Sequence, residues 1–170
     1  MLSGPHGDRL FCEIPGPLDL IDLKLLEELQ ADADRPNVEL ARIVGLSAAA
    51  TLNRVRRLKE AGIVQRVVAR LDPAAAGFPL HVYVAVSLQR HDEASHRRFG
   101  DTVRSMPEVI SADWVTGETD AMLIVVAREV AELQRVLIRL STRGGAARVM
   151  TLLRLEELKP DSPLPLELPR

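Results

Sequence analysis

The sequence predicts an α+β chain in two parts, a three-helix helix-turn-helix unit (winged-helix-like) in front of a βαββαβ unit. Three observations lead there. Leu40 to Gly62 reads as two short helices joined by a glycine-bearing turn. After Gly62 the apolar period changes from about 3.6 to 2. The second half then gives strand and helix signals in the order β-α-β-β-α-β.

In chain order, Met1 to Pro17 shows no sustained periodicity and reads as a flexible tail. Leu18 to Gln30 is a helix with Ile21, Leu25, Leu26 and Leu29 as its apolar face. Asp19 is placed to cap it and Asp22 follows three positions on, the spacing of a capping box rather than of a metal site. Ala31 to Pro36 is a polar turn, and Asn37 is expected to cap the next helix, on which Leu40, Ala41 and Val44 recur. Gly45 breaks that helix, because glycine takes a positive φ without a Cβ clash.

Ser47 is the natural N-cap of the third helix, its hydroxyl accepting an otherwise unpaired backbone N–H. Thr51, Val55 and Leu58 fall on one inward stripe. Ala49, Ala50, Asn53, Arg54, Arg57 and Lys59 lie on the opposite face. Across 51–70, Arg54, Arg56, Arg57, Lys59, Arg66 and Arg70 stand against Glu60 alone. The bland reading is a solvated charged helix. Turn, cap, stripe and charge together instead describe a helix that enters the major groove of duplex DNA, with Asn53, Arg54 and Arg57 best placed to meet bases or phosphates.

Ile63 to Leu71 alternates loosely and is expected to be a strand leaving the helical unit. Leu80, Val82, Val84, Val86 and Leu88 alternate with His81, Tyr83, Ala85 and Ser87, a strong strand pattern. His91 to Met106 is a helix capped by Asp92, with Phe99 and Val103 inward and Pro107 ending it. Val109 to Val115 and Ala121 to Ala127 are strands joined by Thr116 to Asp120. Glu129 to Ser141 is an amphipathic helix stopped by Gly144 and Gly145, and Val149 to Leu158 is the last strand. This order is ferredoxin-like, with helices on one sheet face only, so the other face needs a cover. The expected organisation is a tail (1–17), the helix-turn-helix domain (18–66), a linker strand (67–76), the ferredoxin-like effector and oligomerisation domain (77–159) and a Pro-rich tail (160–170) that is extended or disordered.

The net charge of −2 hides the basic helix, because Asp19, Asp22, Glu27, Glu28, Asp32, Asp34 and Glu39 precede it. Cys12 is alone, so an internal disulfide is excluded, and neither a membrane span nor a secretory signal is legible. A cytoplasmic, nucleoid-associated protein is expected. His91 and His96 lack a cysteine partner, Gly144 and Gly145 lack a phosphate-loop lysine, and Ser47 is a cap rather than a nucleophile. No cofactor, metal or catalytic residue is expected.

Leu18-Asp19 with Asp22, Glu39-Leu40-Ala41, Gly45-Leu46-Ser47, Arg54-Val55 with Leu58, Gly62-Ile63 and Leu71-Asp72-Pro73 follow one another in the first half. Met106-Pro107-Glu108-Val109 and Thr116-Gly117 with Asp120 follow in the second. Taken together they resemble the Lrp/AsnC family of bacterial and archaeal transcription regulators, over about residues 18 to 159. The resemblance implies binding of double-stranded operator DNA, an effector that is usually an amino acid held between second domains, and homodimers assembling to an octamer. The chain departs from the family's pattern at Thr119, where many relatives carry an aromatic residue, and at Ala48 to Ala50, where many carry polar ones.

With that resemblance, the turn Thr116-Gly117-Glu118-Thr119-Asp120 becomes the candidate effector site. Its backbone N–H groups suit a carboxylate and Asp120 suits an α-ammonium, while Met106, Pro107, Trp114 and Met122 are expected to shape an apolar slot. The plain alternative is a hairpin turn that Asp120 closes through a backbone bond. Apolar character at Tyr83, Ala85, Trp114 and Met122 points to a homodimer through the second domain. Two other functions share the fold: a siroheme-decarboxylase-like enzyme, for which His81 is the candidate, and an effector-sensing assembly module with vestigial DNA binding.

Overall fold

The computed structural model describes residues 18–166. The flexible tail expected over 1–17 therefore lies outside the described residues, as do the last four of the Pro-rich tail. Two compact units result, one of residues 18–69 with 159–166 and the other Arg70–Leu158. No helix among the described residues is long and apolar enough to cross a membrane.

The first unit holds α1 (Leu20–Ala31), α2 (Asn37–Val44) and α3 (Ala48–Glu60). Asp19 and Asp22 form the expected capping box: Asp19 Oδ1 accepts the Asp22 N–H at 2.8 Å, and Asp22 Oδ2 accepts the Asp19 N–H at 3.3 Å. Leu25, Leu26, Leu40, Val55 and Leu58 make the core, with Ile21, Leu29 and Val44 packed at its margin. Gly45 turns the chain at φ 69°, and Ser47 caps α3 by accepting the Ala50 N–H. Asn37 departs from expectation. Pro36 is the N-cap of α2, and the Asn37 side-chain amide instead donates to the Ala48 carbonyl at 2.8 Å, bracing α2 against the start of α3.

The expected strand over Ile63 to Leu71 does not form. A strand needs a partner for its backbone groups, and no segment among the described residues pairs with it. Val67, Val68 and Leu71 stay exposed. Residues 160–166 form no helix or strand, and the segment is docked on the helical unit. Leu164 and Gln30 exchange hydrogen bonds of 2.7 and 3.3 Å, and Leu166 packs on the helical core.

In the second unit, β1 (Leu80–Leu88), β2 (Val109–Trp114), β3 (Ala121–Ala127) and β4 (Ala146–Leu153) form one antiparallel sheet in the order β2-β3-β1-β4. Both helices, α4 (Glu93–Arg104) and α5 (Val130–Thr142), cover one face. Val82, Val84, Val86, Leu123 and Val125 meet Phe99, Val103, Val136 and Leu140 there. Asp92 caps α4 as expected, accepting the Ser95 N–H at 2.8 Å.

The last strand starts three residues before the expected Val149 and stops at Leu153 rather than Leu158. Gly145, at φ 76°, reverses the chain at once, so pairing with β1 begins at Ala146. Its ladder ends near the start of β1, where Val82 pairs with Leu153 and Arg154 still donates to the His81 carbonyl.

Candidate nucleic-acid interface and effector turn

On α3 the stripe Thr51, Val55 and Leu58 is buried, which turns Ala49, Asn53 and Arg56 to solvent. Ser47 and Lys59 are exposed at the two ends, and Ala50 is half-buried. Arg54 and Arg57 occupy a third flank that faces the start of α1. Arg54 Nη1 donates to Asp19 Oδ2 at 2.7 Å and Asp22 Oδ1 at 2.9 Å, while Arg57 Nη2 donates to Asp22 Oδ2 at 2.6 Å. Asp22 is 1% exposed, a buried carboxylate between two guanidinium groups.

These bonds hold Arg54 still more firmly protonated, chiefly through Asp19 and then Asp22. The Asp22 N–H, and after it Arg54, keeps the Asp19 carboxyl below its usual range. Part of the helix's positive charge is therefore answered inside the unit. Among the described residues Arg42, Arg56, Lys59 and Arg66 have no carboxylate partner. Sequence reasoning left Arg56 out of the contact set, although its spacing from Ala49 and Asn53 (i, i+7 and i, i+3) places it on their face. It also read Asp22 as a cap alone. No local pattern announces a pair formed with another helix.

The second candidate is the turn between β2 and β3. Gly117 adopts φ 120°, open to glycine. The backbone N–H groups of residues 116–119 meet no acceptor among the described residues. Asp120 behaves differently: its N–H donates to the Val86 carbonyl and its Oδ2 accepts the Leu88 N–H at 2.7 Å. Its other oxygen lies 3.4 Å from His91 Nδ1. The Asp120 side chain therefore ties the turn to the end of β1, a bond to a third strand rather than one that closes the hairpin itself.

Of the four apolar residues expected around the turn, Pro107 is exposed, and Met106, Trp114 and Met122 do not converge within one chain. Met106 is buried in the core under the helices. Trp114 pairs with Ala121 on that same side, against Phe99 and His96 at ring distances of 5.5 and 4.9 Å. Met122 pairs with Ala85 and Asp113 on the opposite, uncovered face. Trp114 therefore does not contribute to the open face, which consists of His81, Tyr83, Ala85, Met122, Ile124, Val126, Met150 and Leu152.

A helix-turn-helix unit followed by an antiparallel sheet with a helix-lined face is the architecture of a DNA-binding transcriptional regulator with a separate ligand-binding domain, and the sequence matches give that class. Residues 18–65 match a winged helix-turn-helix DNA-binding domain, and residues 81–164 match the Lrp/AsnC ligand binding domain. The leucine-responsive regulatory protein of Rhizobium meliloti is 38% identical over 143 residues, 84% of this chain and 92% of that one. The Bkd operon transcriptional regulator of Pseudomonas aeruginosa is 40% identical, over 71% of this chain and 78% of its own. Among solved structures, a transcriptional regulator of Neisseria meningitidis in complex with L-Met superposes with a TM-score of 0.80 at 34% identity, covering 87% of this chain and 96% of that one. The chain belongs to the Lrp/AsnC family of transcriptional regulators.

Proposed function

We propose that this regulator reads operator duplex DNA with α3 and answers to an amino acid bound at the Thr116–Asp120 turn. The observation that carries the DNA reading is the solvent face of α3. Among the described residues Asn53, Arg56 and Lys59 stand there without side-chain partners, along a helix whose small first residues Ala49 and Ala50 allow close approach to the groove. Ser47 completes the set at the helix start. Arg54 and Arg57 take part from the flank through the N–H groups their carboxylate partners leave free.

For the effector, the free N–H groups of residues 116–119 suit a carboxylate, and the relative crystallised with L-Met supports an amino acid as the ligand class. Asp120 is the partner for the ammonium. Trp114 and Met122 lie on opposite sides of the sheet, so only a site completed by a second subunit would bring both to one ligand, with Met106 behind it in the core. A second copy is also the natural cover for the open sheet face, where Met150 and Leu152 are 42% and 48% exposed. We take the working form to be a homodimer that assembles to an octamer in the cytoplasm, associated with the nucleoid.

We read the chain as a regulator without catalytic activity. Both ring nitrogens of His81 are buried and have no hydrogen-bond partner among the described residues, on a sheet face rather than in a cavity able to hold a tetrapyrrole. The test is a band shift on duplexes selected from a randomised pool, repeated across salt concentrations. A steep salt dependence that flattens in Arg56→Ala is expected. No retained duplex at low salt, or a slope indifferent to Arg56, would remove α3 from the interface.

A further inference from the structure

We propose that Asp22 is the positioning residue of the DNA-reading helix: from inside the helical unit it fixes the guanidinium groups of Arg54 and Arg57 so that their remaining N–H groups meet the duplex in one register. The proposal rests on reading α3 as the DNA-contacting helix.

Asp22 cannot move independently. It occupies the third position of α1, is 1% exposed, and both its oxygens are used. Oδ1 accepts Arg54, and Oδ2 accepts Arg57 and the Asp19 N–H. Each arginine gives only one of its two terminal nitrogens to these bonds. A guanidinium has five N–H donors in a rigid fork, so Nε and the second Nη of each remain available. The side chains stay 28% and 59% exposed, and solvent reaches them.

An arginine free in solution loses rotamer freedom when it docks, whereas one already held in its bound geometry loses less. The same carboxylate works against affinity, because it places a negative charge next to phosphates. Asp22 thus exchanges general attraction for orientation. If the carboxylate merely joined α1 to α3, its loss would weaken all DNA binding in proportion to lost fold and leave discrimination untouched.

The experiment uses the full chain, a duplex selected by the wild type from a randomised pool, and a random-sequence duplex of equal length. Affinities for both are measured across a salt series, with helix content followed by circular dichroism. In Asp22→Asn, which keeps the shape and removes the charge, random-duplex affinity is expected to hold or rise. The selected-to-random ratio is expected to fall at least tenfold. A folded Asp22→Asn protein with an unchanged ratio overturns the proposal.

Should Asp22→Asn lose its helices, Arg54→Lys decides instead. Lysine keeps the charge but cannot bond the carboxylates and present a second edge to DNA. The same fall in ratio is expected, and an unchanged ratio overturns the proposal. Arg56→Ala, outside the Asp22 cluster, separates the two levels of inference. Weakened binding to both duplexes in Arg56→Ala with no change of ratio in Asp22→Asn rejects positioning alone. Indifference of all binding to every variant rejects the α3 reading and the proposal with it.

Discussion

Asp120 is bonded to the backbone of Leu88, its Oδ2 accepting the N–H at 2.7 Å from 32 positions away in the chain. The carboxylate anchors the β2–β3 turn to the end of β1, and in the function proposed above it would also offer its charge to a ligand.

Those roles part in two variants. Asp120→Asn keeps an acceptor for Leu88 and removes the charge, whereas Asp120→Ala removes both and leaves a backbone N–H unpaired, at a cost of about 1–2 kcal/mol. In a thermal-shift screen of the twenty amino acids, the ligand-induced shift seen in the wild type should vanish in both. Only the alanine form should have a lowered baseline melting temperature. A shift retained in Asp120→Asn would show that the charge plays no part.

The open sheet face gives a second prediction. Ile124→Arg and Met150→Arg, which pair with Tyr83 and Ala85 on that face, should place unpaired charge between two apolar sheets and disfavour association. Light scattering should return a multiple of 18.7 kDa for the wild type and a mass near 18.7 kDa for the double variant. A double variant that assembles like the wild type would assign the interface elsewhere.

His81 gives a third, in pH. Burial, and then Arg154, hold its pKa below the ordinary 6.5, with Glu157 opposing and Tyr83 adding a ring contact without charge. Above pH 6.5 the ring is neutral in both folded and unfolded chains, and stability is full. As the pH falls below 6.5 the unfolded chain takes up the proton first, so stability is lost down to the folded-state pKa. Urea midpoints measured from pH 7.5 to 5.5 should fall less in His81→Val than in the wild type. Parallel profiles would mean that His81 does not contribute.

The docked C-terminal segment gives a fourth. Ending the chain after Lys159 removes the paired bonds between Leu164 and Gln30 and the packing of Leu166 on the helical core. The helical unit should lose about 1–2 kcal/mol, with about half of that reproduced by Gln30→Ala. Chemical denaturation followed by helix circular dichroism reads both, and identical midpoints would show the segment to be idle.

The sequence by itself determined the features that act within one or two turns of chain. Ser47 caps α3 because its hydroxyl reaches an N–H three residues on, Gly45 ends α2 because it tolerates a positive φ, and the alternation from Leu80 to Leu88 marks a strand with one buried side. Of the site, this was enough to place Ala49, Asn53 and Lys59 on the exposed part of a basic helix. Tertiary structure decided what depends on residues far apart in sequence. It paired Asp22 with Arg54 and Arg57, 32 and 35 positions away, and so turned two arginines onto a flank that faces α1. Register in the sheet sent Trp114 to one side and Met122 to the other, since a single-residue shift reverses every side chain. The segment from Ile63 to Leu71 shows the same division from the other direction: its side chains alternate as a strand requires, but a strand exists only where another backbone lies alongside to take its hydrogen bonds.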